Sequence, residues 1–141
     1  MVRARLIGLA ERVGLPIVPP RRNANSRLAL ETMELVRSRA GDDAAASFHH
    51  AVSRAFFVDG ANVADPGLIV AQAAVFDVPK SDVEAAWQNH EFAAAVDASI
   101  TASRVAGVRG VPAYGWPGGR AISGMMEPEQ IIGALSLMMR Q

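Results

Sequence analysis

The sequence predicts an α/β domain that is helical over most of its length and closes with a β-hairpin and a last helix. Three observations point there. Apolar residues recur at helical spacing from Arg3 to about Ala106, in segments separated by glycine, proline and Asx punctuation. From Gly107 the pattern becomes extended, with turn formers at Pro117, Gly118 and Gly119 between two short runs. Glu127-Pro128-Glu129 then opens a final apolar segment with a first-turn proline.

The first helix is expected over Arg3 to Val13, with Leu6, Ile7, Leu9, Ala10 and Val13 on its apolar side and Gly14 ending it. The prolines at 16, 19 and 20 bar helix, so Leu15 to Pro20 reads as a linker or edge segment. Asn25 or Ser26 caps the next helix, roughly Arg27 to Arg39, which buries Leu28, Met33, Leu35 and Val36. Gly41 closes it, and a third helix over about Ala44 to Phe57 turns Phe48, Val52, Ala55 and Phe56 inward.

Asp65-Pro66 starts a helix that runs to about Phe76 and buries Leu68, Ile69, Ala73 and Phe76. Ser81 is the expected cap of a helix from Asp82 to about Asn89, with Val83, Ala86 and Trp87 inward. The next, Glu91 to Ala106, carries Phe92, Val96, Ile100 and Val105 and ends at Gly107. Val108 to Trp116 and Arg120 to Gly124 form the hairpin; Ile131, Ile132, Leu135 and Met138 of the last helix face the core.

Composition bounds the function. At 141 residues the chain is one domain's worth, residues 1–141, with a helical region over 1–106 and a hairpin plus helix over 107–141. Fourteen basic and fourteen acidic side chains cancel, which removes long-range attraction to phosphate backbones or anionic lipid. No nucleic-acid or membrane partner is expected. The basic, then apolar, start from Met1 to Ala10 imitates a signal peptide, but Glu11 and Arg12 interrupt it too early. A cytoplasmic location is the expectation. The chain has no cysteine, which excludes disulfides, thiolate nucleophiles and thiolate metal sites within it.

The most informative stretch is Gly107-Val108-Arg109-Gly110-Val111-Pro112-Ala113-Tyr114, followed by Ile122-Ser123-Gly124 and a helix. A proline entering a strand forfeits a ladder hydrogen bond and needs a reason. Upstream, Gly14-Leu15-Pro16, Asn25-Ser26 opening a helix, Phe48-His49 and Ala55-Phe56-Phe57 follow in order. Together these resemble DsbA-family proteins of thioredoxin-like fold, with the FrnE-like subgroup most similar, from about Leu6 to Leu135. The resemblance implies a partial thioredoxin-like, DsbA-type α/β fold: the helical insertion, the hairpin and the terminal helix. It implies a cis peptide before Pro112 and a binding groove beside Gly110, Val111 and Pro112 that takes an extended peptide or a small thiol. It also implies a family activity, protein thiol–disulfide exchange, whose Cys-x-x-Cys segment has no counterpart in this chain.

Three functional expectations follow. The first is a DsbA-family homologue, truncated before the catalytic cysteines and not redox-active alone, with no cofactor. The second is a non-enzymatic scaffold. In the complete family fold another strand lies beside the proline strand, so Val111 to Trp116 would expose an unpaired edge. A homodimer through that hairpin edge or through helix faces is therefore expected. The third is a glutathione-dependent isomerase relative, a group that resembles this fold and places a serine where the redox family has its first cysteine.

The remaining chemistry-bearing residues read as structural. His49 and His50 are neighbours on a helix, about 100° apart, a poor arrangement for sharing a metal. No metal site is expected. Ser26 reads as a cap and Ser123 lies outside any nucleophile elbow. Asp42, Asp43 and Asp59 sit at turns or helix starts, and Met125-Met126 and Met138-Met139 fill gaps in core or interface. No residue is assigned a catalytic role.

Overall fold

The computed structural model describes residues 2–19, 23–115 and 120–139. Among the described residues six helices and one hairpin follow in the order α1 (Val2–Arg12), α2 (Arg27–Phe57), α3 (Pro66–Ala74), α4 (Lys80–Gln88), α5 (Ala93–Val105), β1 (Ala113–Tyr114), β2 (Ile122–Ser123) and α6 (Pro128–Met138). The internal contacts divide the chain into two units, Met1–Val96 and Asp97–Gln141.

In the first unit the helical ladder runs through Arg27–Phe57, but Gly41 breaks its direction with φ 87° and ψ −179°. That conformation is open to glycine and strained for every residue with a Cβ. The expected stop at Gly41 is thus a sharp corner between two arms, residues 27–40 and 42–57. Arg37 spans the corner, donating to Glu34 and, at 2.9 Å, to Asp42 Oδ1. The hydrogen bond to Glu34, reinforced by the charges of Glu34 and Asp42, raises the guanidinium above its ordinary pKa.

Both arms enter one core with α3 and α4. Leu35, Val36, Phe48, Ile69, Val78 and Val83 are fully buried at its centre. Phe48 meets Phe76 edge to face at 6.1 Å between ring centroids. Val78 and Val63, buried from connecting segments, have no helical period and escape a reading based on spacing. Thr32 and Glu31 are buried too, each with a partner. Thr32 Oγ1 donates to the Leu28 carbonyl at 2.7 Å, and Glu31 receives the Arg27 guanidinium.

The helix boundaries correct several expectations. Ser26 is the N-cap residue of α2 but its side chain makes no cap bond; the neighbouring Asn25 supplies one, its Oδ1 accepting from Arg27 N at 2.9 Å. Pro79, not Ser81, precedes α4: its extended φ and ψ set the entry, and its carbonyl accepts from Asp82 and Val83. Asp65 caps α3 as expected, accepting from Gly67 N at 2.9 Å. Leu15 to Pro19 is non-helical, and Val18 N donates to the Phe57 carbonyl at 2.7 Å, binding the segment to the end of α2.

Two helices of this unit end on a left-handed residue other than glycine. After α3, Val78 N reaches back to the Ala73 carbonyl and Asp77, at φ 58°, takes the turn. After α4, Glu91 N reaches the Ala86 carbonyl around His90, at φ 52°. Both are Schellman closures, with Asp and His in the place glycine usually fills.

In the second unit α5 closes the same way on Gly107, with Val108 N donating to Ser103 O at 3.0 Å. β1 pairs antiparallel with β2 in the register Ala113 to Ser123 and Tyr114 to Ile122. The hairpin turn expected at Pro117-Gly118-Gly119, and Trp116 before it, lie outside the described residues. At α6, Pro128 occupies the first turn and Gln130 Oε1 accepts from Glu127 N at 3.0 Å.

Five inward assignments are overturned. Ile7 is exposed on α1 and Val13 just after it, Ile100 and Val105 on α5, and Ile132 on α6, with Val105 84% and Ile132 65% exposed. No described residue of 97–139 is buried. Spacing marks an apolar stripe; whether anything packs against it is a property of the neighbouring elements.

Candidate functional site

Gly110, Val111 and Pro112 lie together in the segment between α5 and β1, all exposed, and Val111 shows 92% of its surface. The Val111–Pro112 peptide is cis. Three hydrogen bonds fix the segment around them. Ala121 N donates to the Ala106 carbonyl at 2.7 Å, tying the entry of β2 to the end of α5. Arg109 N donates to Ser123 Oγ at 3.3 Å. Gly124 N donates to the Pro112 carbonyl at 2.8 Å.

That last bond sets which edge of β1 is open. Pro112 and Gly124 are opposite one another, and the next hydrogen-bonded pair in an antiparallel ladder is two residues on, at Tyr114 and Ile122. Ala113 falls between them. Its N–H and C=O therefore point away from β2, on the edge continuous with Val111. Val111 on that edge is exposed and Ala113 half-buried; an outward donor and acceptor there can pair with an extended backbone.

Two residues beyond the expected triplet belong to this description: Ala113, which supplies the outward amide, and Ser123, whose hydroxyl orients Arg109. The alternation at Ala113-Tyr114 was the available signal for the first; nothing local marks Ser123 for the second. Ser123 has a positioning contact and no base near it among those bonds. Among the described residues no group of three His, Asp or Glu side chains is placed to hold a metal ion, and His90 is accounted for by its turn after α4. No helix of the described residues is long and apolar enough to cross a membrane.

The profile described as "DSBA-like thioredoxin domain" matches residues 1–136. The chain belongs to that family. No curated protein and no solved structure matches it. Membership in the DSBA-like thioredoxin family gives the fold its place: a partial thioredoxin-like α/β fold, mostly helical, with a two-stranded antiparallel sheet and a C-terminal helix. It also makes the chain a relative of thiol–disulfide oxidoreductases that itself contains no cysteine.

Proposed function

We propose that this DSBA-like chain binds an extended peptide or a small thiol at Gly110, Val111 and Pro112 and performs no disulfide exchange by itself. The observation that carries the reading is the open edge of β1, where Val111 is exposed and the Ala113 amide is turned outward. Thiol–disulfide exchange requires a thiolate attacking a sulfur. With no cysteine here, the attacking group must come from elsewhere, and what this chain contributes is the backbone that holds the substrate.

The test is a titration of the labelled protein with an extended peptide, followed by amide shifts. Shifts centred on Arg109 to Tyr114, lost when alternate peptide amides are N-methylated, support backbone pairing. Equal binding of the methylated peptide, or insulin reduction by the pure chain, overturns the reading.

A specific observation favours a second reading, a non-enzymatic homodimeric scaffold. The described residues of 97–139 leave Val105, Val111, Ile132, Leu137 and Met139 exposed, and none of them is buried. Apolar surface of this kind is what an isologous interface covers. A monomer that stays in solution throughout a dilution series followed by light scattering removes this reading and leaves the first intact.

A further inference from the structure

The corner at Gly41 has a second consequence, in the unit 1–96. The two arms of α2 enclose a half-open cavity of about 250 Å³. Ala29, Leu30 and Met33 line it from the first arm, and Phe48, Val52 and Phe56 from the second. Val63 contributes from the connecting segment. Enclosed apolar cavities of only ~150 Å³ take up benzene; this one is half-open, but its apolar lining offers a small apolar body the same kind of contact.

Polar groups are few and gathered in three residues, Ser26, His49 and Ser53. None of the three is engaged in a side-chain hydrogen bond with another described residue. His49 and Ser53 are one helical turn apart, so both project to the same side of the second arm. An apolar chamber with a small set of convergent, unengaged donors is the usual build of a small-molecule site.

We propose that this cavity binds a small aromatic molecule carrying one oxygen-bearing end. Its ring fills the space between Met33, Val52 and Phe56, and its oxygen accepts hydrogen bonds from His49 and Ser53. The volume favours one compact ring system over a peptide helix, whose row of anchors needs a longer groove. The site is independent of the β1 edge: it uses neither the same residues nor the same kind of recognition.

The test uses the full chain with labelled methyl groups, titrated with naphthalene-2-carboxylate and, in parallel, with naphthalene. Saturable shifts are expected at Leu30, Met33, Val52 and Val63 with both probes. His49→Ala, at an exposed position, should weaken the carboxylate several-fold and leave naphthalene unchanged. Val52→Trp should fill the chamber and weaken both by about tenfold or more. Absence of saturable shifts with either probe overturns the proposal, as do shifts scattered over the surface. Equal response of both probes to His49→Ala overturns the assigned polar end. Shifts of the same methyls that depend on protein concentration alone would show a second copy in the cavity, and would also overturn it.

Discussion

Trp87 donates its indole N–H to Thr32 Oγ1 at 3.0 Å, across 55 residues of sequence. The Thr32 hydroxyl in turn donates to the Leu28 carbonyl, so one buried oxygen serves both α4 and the first arm of α2. Thr32 is 1% exposed, and no buried side-chain polar atom among the described residues lacks a partner. Chains of this kind specify which helix faces meet, because an apolar substitute leaves a donor unpaired.

Thr32→Val keeps the shape and removes the acceptor. It should destabilise the protein by about 1–2 kcal/mol, below the full penalty because Trp87 is only half-buried. In a double-mutant cycle with Trp87→Phe, measured by urea unfolding, the combined loss should be smaller than the sum of the two. Strict additivity would show that the bond contributes nothing specific.

Gly41 and Gly133 make a controlled pair. A Cβ at either meets no atom within 4 Å, so only the backbone distinguishes them. Gly41→Ala should cost about 1–3 kcal/mol, because its φ of 87° with extended ψ is open essentially to glycine alone. Gly133→Ala, inside α6, should stabilise by roughly 0.5–1 kcal/mol. Thermal midpoints moving in opposite directions are the expected result; a Gly41→Ala protein of unchanged midpoint would mean the corner adopts another geometry in solution.

His90 holds a left-handed turn after α4 that glycine takes without steric cost. His90→Gly should therefore raise stability by several tenths up to about 1 kcal/mol. If His90 had a ligand or partner that matters to folding, the same change would lower stability, so a single denaturation curve separates the two.

Arg27 donates to Glu31 and, through a second guanidinium nitrogen, to the Ala93 carbonyl at 2.9 Å. Glu31 is 6% exposed, so Arg27→Met leaves a carboxylate buried beside an apolar side chain. A loss of about 2 kcal/mol is expected, less than for a fully buried pair because Arg27 itself is partly solvated. Adding Glu31→Gln should restore part of that loss, since a neutral amide is cheaper to bury. No recovery in the double variant would assign the effect to the Ala93 contact instead.

Much of this architecture is legible along the chain, and the places where it is not share a cause. Asp65-Pro66, Gly41 and Gly107 state their turns locally: each acts through the backbone or side chain of one or two neighbouring residues. The core positions Leu35, Val36, Phe48, Ile69 and Val83 follow from helical period alone. Asp77 and His90 were unmarked because a left-handed closure by these residues is a choice of the structure among several the sequence allows. Pro79 displaced Ser81 as the entry to α4 because its extended backbone geometry began the helix earlier than the serine, whose hydroxyl instead faces Asp82. At the candidate site, the sequence pointed to Gly110, Val111 and Pro112; it did not show that Ala113 carries the outward amide, since hydrogen-bond register appears only when β2 is paired.

By itself, then, the sequence determined the absence of a thiol, the helical segments, the hairpin and the resemblance that places the chain among DSBA-like thioredoxin domains. These depend on residue identity and short-range spacing. Tertiary structure decided which apolar stripes are covered, leaving Val105 and Ile132 exposed while Val63 and Val78 are buried. It also decided that the arms on either side of Gly41 enclose a cavity. Burial and enclosure are relations between segments distant along the chain, and no periodicity within one segment contains the position of its neighbour.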